Sequence, residues 1–165
     1  MAIGKLLYLA TVTRTDIAVA VGILSRKVSK PNKTDWNAVK RVIRYLKGTS
    51  NDKLKLPTSD KCIVTGYVDA DVAGDPTDRK STIGYLFFLS GRPTSWTSKK
   101  QSIVMLSSTE AEYVAAAHAS QEVLWLRQLL TDLGQTQLEP TKINKDNQGC
   151  LVFAPSLTQE PSTLM

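Results

Sequence analysis

The apolar positions of this 165-residue chain change period near its middle. In the first third they recur at helical spacing. TDIAVAVGILSRKVS, residues 15–29, reads as a helix capped by Thr15, with Asp16 in its first turn and Pro31 at or beyond its end. KTDWNAVKRVIRYLKG, residues 33–48, is the clearest helical pattern. Trp36, Val39, Val42, Ile43 and Leu46 form its apolar side, Thr34 or Asp35 is the expected cap, and Gly48 stands where a left-handed C-terminal residue belongs. Lys40, Arg41, Arg44 and Lys47 lie off that face. They give the helix a cationic side that suits phosphates or serves as a solvated surface, with Trp36 packing the helix on its neighbour.

After a polar stretch with a proline, residues 49–60, the pattern shifts to strands. KCIVTGYVDA, residues 61–70, has the β-branched and aromatic character of a central strand. Residues 81–98 read as an antiparallel hairpin: a strand over 82–89, a Ser-Gly-Arg-Pro turn, and a short strand through Trp96. KKQSIVMLSS extends the sheet or leads out of it. A long helix follows from residue 109 to about 133, closed by Gly134, with Ala111, Val114, Ala115, Ala119, Val123, Leu126, Leu129 and Leu130 on its apolar side. Its small residues would let it lie close on a sheet. One more strand ends near Asp146, before a short helix and an unpatterned tail. The predicted class is α/β, a mixed sheet with packed helices preceded by a helical segment.

Composition and charge sharpen this division. With 42% hydrophobic residues the chain can build a core. Residues 1–61 carry 13 Lys and Arg against 4 Asp and Glu, net +9, and residues 62–165 carry 8 against 11, net −3. The basic part suits a polyanion such as nucleic acid. Cys62 and Cys150 form no close-spaced pair, which argues against a disulfide framework or zinc ribbon. Apolar runs are too short for a membrane span, and charges interrupt the N-terminal region where a signal peptide would lie. The expectation is an intracellular protein of cytoplasm or nucleus, neither secreted nor bound to a membrane.

Three acids fall at element ends in the second part: Asp69 after a strand core, Glu112 in the first turn of the long helix, and Asp146 at the end of the last strand. Carboxylates converging from three elements at one sheet edge are the ligands Mg²⁺ prefers, and two such ions clamp an in-line phosphoryl displacement. Asp71 lies two residues beyond Asp69 and shares its side of the strand if the strand continues. Each has a simpler reading. Thr109-x-x-Glu112 fits a capping box, Asp146 with Asn147 fits a turn or cap, and Asp75 and Asp78 fit turn chemistry. His118, among alanines inside the long helix, reads as a packing or surface residue.

The run DAD-x-AGD, DRKST-x-GY, SW-x-SKKQ, LSSTEAEY and, later, DNQ resembles the ribonuclease H domain of copia-type LTR retrotransposon polyproteins. The first part resembles the segment joining reverse transcriptase to that domain, and the resemblance spans roughly residues 3–154. It implies a reverse transcriptase connection segment at 1–48, a linker at 49–60, a ribonuclease H-like domain at 61–154 and a tail at 155–165. It also implies cleavage of the RNA strand of RNA–DNA hybrids with two Mg²⁺ ions held by Asp69, Glu112 and Asp146; Asp71, from its position beside Asp69, is a possible further ligand. The rest of a Pol polyprotein is a candidate partner.

Two departures bear on activity. The family continues into a His-containing segment with a fourth acid, so a shortened unit of weak or absent activity is expected. Lys145 stands where the family has a small or neutral residue, and a cation there either competes with a metal or points to solvent. The competing readings are a hybrid-cleaving hydrolase, a nucleic-acid-binding module that does not cut, and a remnant without function.

Overall fold

A computed structural model describes residues 2–52, 62–74 and 78–145. Four helices and four strands are placed: α1 (Ala2–Val12), α2 (Ala18–Ser25), α3 (Lys33–Gly48), β1 (Val64–Asp71), β2 (Thr82–Leu89), β3 (Arg92–Lys100), α4 (Ser108–Asp132) and β4 (Lys142–Asn144). The sheet order is β3-β2-β1-β4. β1 pairs antiparallel with β2 and parallel with β4, and β2 pairs antiparallel with β3. This is the mixed α/β sheet with packed helices, preceded by a helical segment, that the change of period predicts, and it is compatible with a ribonuclease H-like fold.

The alternation of β1 decides which face is covered. Val64, Val68 and Ala70 are buried, whereas Tyr67, Asp69 and Asp71 are exposed. The buried face joins Ile83 and Phe87 of β2 and receives α4 through Ala111, Ala115 and Ala119, all fully buried. Methyl-sized side chains one turn apart let the helix axis approach the strands, so Val123, Leu126 and Leu130 complete the same core. Gly134, at φ +75°, stops the helix: its N–H and that of Gln135 donate to Thr131 O and Leu130 O at 2.9 and 2.7 Å.

The hairpin is tighter than its sequence suggests. Ser90 and Gly91, at φ +52° and +76°, form a two-residue turn whose twist matches the strands, so Arg92 and Pro93 belong to β3 rather than to the turn. β3 runs on to Lys100 rather than ending at Trp96, and a bulge between Phe87 and Phe88 takes up the mismatch near Pro93.

A second core joins Leu6, Ala10, Ile17, Val21, Leu24, Val39 and Val42 of the helical segment. Its helix boundaries differ from the sequence reading. The first helix lies earlier, at α1. Thr15 opens a single 3₁₀ turn, not an α-helix with a side-chain cap. The cap of α3 is Asn32, whose side chain accepts from Asp35 N–H at 2.8 Å, while Asp35 accepts from Asn32 N–H at 3.0 Å. Gly48 stays inside α3, and Thr49 follows as the C-cap. Trp36 and Ile43, expected on the apolar side, are about half exposed, because the contact ridge runs through Val39 and Val42.

The helical segment docks at β3, on the face opposite α4. Trp96 Nε1 donates to Ala10 O at 2.7 Å, and Gly22 lies beside Ser98 O. Within the segment Arg14 grips Asp16 with two nitrogens, at 2.9 and 2.7 Å, and Tyr45 OH donates to the same carboxylate at 2.8 Å. Arg14, then Tyr45, hold the Asp16 carboxyl down at about 2, from an ordinary 3.8. A depressed carboxyl stabilises the fold above its unfolded value and loses that contribution as pH falls through its folded value. The site is partly exposed, so the screened effect is about 0.5–1 kcal/mol. Asp16→Asn is expected to remove that step from acid denaturation between pH 3.8 and about 2, leaving neutral-pH stability lower by this amount. Urea melts at stepped pH check it, and parallel wild-type and variant profiles would contradict it.

Candidate active site and its buried ion pair

Asp69 sits near the end of β1 opposite Gly84 of β2. Paired residues in an antiparallel ladder share a face, so Asp69 lies on the face away from α4, with Tyr67 and Leu86 beside it. The absent side chain at Gly84 leaves room in front of the carboxylate, whose Oδ1 accepts from Ala70 N–H at 2.8 Å. An open cavity of about 560 Å³ lies there, lined by Tyr67, Asp69, Gly84, Leu86, Asn144 and Lys145 among others. Asn144 fixes the far wall by donating to Gly66 O at 3.0 Å.

Asp71 follows on the same exposed face of β1. Its carboxylate rests on the backbone of the turn that follows, where a Cβ at Gly74 would meet Oδ2 at 1.9 Å. Ser81, almost fully buried, locks the same turn: its Oγ accepts from Ala73 N–H at 3.1 Å and its carbonyl accepts from Gln101 N–H at 2.8 Å.

Glu112 is not part of the helix cap. Ser107 is the N-cap, accepting from Glu110 N–H at 3.1 Å, and Glu110 accepts from Leu106 N–H at 2.7 Å. The Thr109-x-x-Glu112 pattern is therefore displaced by two residues. Glu112 is 4% exposed in the second turn of α4, and its carboxylate bonds the ammonium of Lys145. The same ammonium donates to Glu112 O at 2.9 Å. Both side chains are nearly closed off from solvent, at 5% for Lys145 and 6% for Glu112. Of the two alternatives for Lys145, the structure places it inward on the acid rather than in solvent.

Asp146, the third sequence-derived acid, and Asp75 lie outside the described residues, as does the short helix expected after Asp146. Among the described residues no group of three or more His, Cys, Asp or Glu could hold a metal. Of the three described candidates, Asp69 presents an open carboxylate, Asp71 lies against Gly74 of the following turn, and Glu112 is already charge-neutralised by a buried cation. As arranged, they do not fit a pair of Mg²⁺ ions, which would need the oxygen that Lys145 occupies.

Gln101 is a site-supporting residue that sequence reasoning passed over. Its side-chain N–H donates to Ala111 O at 2.9 Å inside the protein, pinning the first turns of α4 next to Glu112. The SW-x-SKKQ motif contains it, but nothing in the spacing says that it faces the helix. His118 is exposed on α4.

Lys40, Arg41, Arg44 and Lys47 are all exposed on α3. Lys40 Nζ lies 5.8 Å from the ring centroid of Trp36, itself half exposed. Trp36, Lys40, Ile43, Arg44 and Lys47 follow helical spacing, so the exposed stripe is mixed aromatic and basic. No helix among the described residues is long and apolar enough to cross a membrane.

The chain is 51% identical over 138 residues, 84% of its length, to the retrovirus-related Pol polyprotein from transposon TNT 1-94 of Nicotiana tabacum, of which it covers 10%. It is 46% identical over 147 residues, 89% of its length, to that from transposon RE2 of Arabidopsis thaliana, again covering 10%. It is 51% identical over 125 residues, 76% of its length, to secreted RxLR effector protein 161 of Plasmopara viticola, of which it covers 88%. No family model and no solved structure matches. The chain spans about one tenth of the transposon polyproteins it matches. The chain is thus similar over most of its length to one segment of the retrovirus-related Pol polyproteins of two transposons, and to most of secreted RxLR effector protein 161.

Proposed function

We propose that this chain is a ribonuclease H-like unit that engages RNA–DNA hybrids and hydrolyses their RNA strand weakly. The observation that carries the reading is the placement of Asp69 in an open cavity whose wall is Lys145, the residue that ties up Glu112. An open carboxylate at Asp69 suits phosphoryl transfer, while Glu112 is committed to Lys145. Mg²⁺ is the cofactor the family resemblance implies, and carboxylates such as Asp69 and Asp146 are its natural ligands. The expected impairment now rests on Lys145.

Binding is assigned to the stripe on α3. Exposed Lys40, Arg41, Arg44 and Lys47 neutralise phosphates, and half-exposed Trp36 offers a ring face to a base or sugar. Fluorescence anisotropy with a labelled RNA–DNA hybrid, at stepped KCl, tests this. Affinity is expected to fall steeply with salt. Replacing the four cations by glutamine should flatten the slope of log K against log[salt] by roughly 3–4. Cleavage of the RNA strand with Mg²⁺ should be slow, and Asp69→Asn should remove what there is. An unchanged salt slope would refute the binding surface, and rapid Mg²⁺-dependent cleavage would refute the impairment.

A further inference from the structure

We infer that Lys145 is a tethered cation standing in for a divalent metal at Glu112, so that any metal reaching this carboxylate must first displace the lysine. The inference rests on the ribonuclease H-like reading of the site and concerns the residue on which its expected impairment rests.

Four observations converge. The ammonium is bound twice by one residue, through the Glu112 carboxylate and the Glu112 carbonyl oxygen. Both side chains are almost wholly buried, so the pair is not a solvated surface contact with little influence. Lys145 immediately follows β4, the strand whose Ile143 lies opposite Gly66 and whose Asn144 is fixed on Gly66 O, so the lysine backbone is held in place. Finally, Lys145 lines the cavity that contains Asp69. It therefore borders the Asp69 cavity while its ammonium is held by Glu112.

The electrostatic consequence follows from burial. A buried carboxylate is stable with one good counter-charge, and a buried ammonium needs acceptors, a carboxylate best of all. Adding a divalent ion next to Lys145 would set two cations side by side in a medium that screens them poorly. The metal can enter only if the ammonium leaves for water. Removing the ammonium reverses the balance: Glu112 becomes a buried acid without a partner, and a hard divalent cation is its best remaining one.

The test uses thermal melts of the whole chain with and without Mn²⁺, in the absence of nucleic acid, for wild type, Lys145→Met and the double variant Glu112→Gln/Lys145→Met. With Mn²⁺ at about 100 times its Kd, the melting temperature of Lys145→Met should rise by roughly 5–10 °C more than that of wild type. The double variant should respond like wild type. Equal rises in wild type and Lys145→Met, or an extra rise that persists in the double variant, would overturn the inference. Should Lys145→Met be unfolded without metal, folding on addition of Mn²⁺ supports the inference, and a chain that stays unfolded refutes it. Failure to bind a hybrid would count against the proposed function alone, because these melts contain none.

Discussion

Gly66→Ala is expected to lower stability by about 3 kcal/mol, the upper end of what overpacking a core costs, although it adds one methyl group. Gly66 lies in the middle of β1, between Phe87 of β2 and Ile143 of β4. A Cβ there would stand 2.3 Å from Phe87 Cε1 and 2.7 Å from Cδ1, well inside contact distance. The ring has little room to yield: Phe87 is fully buried, leans on Tyr85 at a centroid distance of 5.4 Å, and belongs to the core beneath α4. Moving β1 instead would disturb Gly66 O, which anchors Asn144 one residue before Lys145. Gly84→Ala is the matched control, since a Cβ at Gly84 meets nothing within 4 Å. It should change stability by no more than about 0.5 kcal/mol. Urea melts of both variants decide the matter. Equal midpoints for Gly66→Ala and wild type would mean that Phe87 does not fill the space in front of Gly66. Partial recovery in Gly66→Ala/Phe87→Leu would identify the ring as the obstacle.

That glycine also shows how far the sequence could be read. Alternation in β1 and β2 and the alanine-rich side of α4 are strong local signals, and the sheet, its antiparallel pairs and the long helix follow from them. Nothing local marks Gly66, because the ring it makes room for, Phe87, is 21 positions away. Local capping is ambiguous for a related reason. Asn32, Thr34 and Asp35 are all good caps by residue type, and the reciprocal bonds between Asn32 and Asp35 place the cap at Asn32. Ser107 and Thr109 compete in the same way, and the winner frees Glu112 from capping. α1 carries no acidic first turn and no basic last turn, so nothing local marks its ends. At the site, Asp69 was legible from its position after an apolar strand. The direction of Lys145 was not. A lysine beside an acid in sequence points to solvent or to a partner according to what the fold brings near, and here α4 brings Glu112.

Breaking that pair from one side should be among the most damaging single changes in the chain. Lys145→Met keeps much of the buried stem but leaves a carboxylate at 6% exposure without its cation, an expected loss of about 3–5 kcal/mol in metal-free buffer. Glu112→Gln should be milder. Its side-chain oxygen can still accept from the ammonium, and Glu112 O, the second acceptor, belongs to the backbone and survives the change. Combining them removes both charges and leaves an amide facing a thioether, so the double variant should lie close to wild type, within about 1–2 kcal/mol. The cycle therefore has a signature that simple loss of packing cannot produce: the second substitution repairs the first. Packing losses at neighbouring positions would accumulate instead. Denaturant melts of the four proteins at neutral pH, with chelator present, give the coupling directly. A double variant as unstable as the sum of the singles would show that Lys145 and Glu112 are held by their surroundings and not by each other. A restored double variant would show that the two side chains are held by each other, each buried charge being stable only because the other is present.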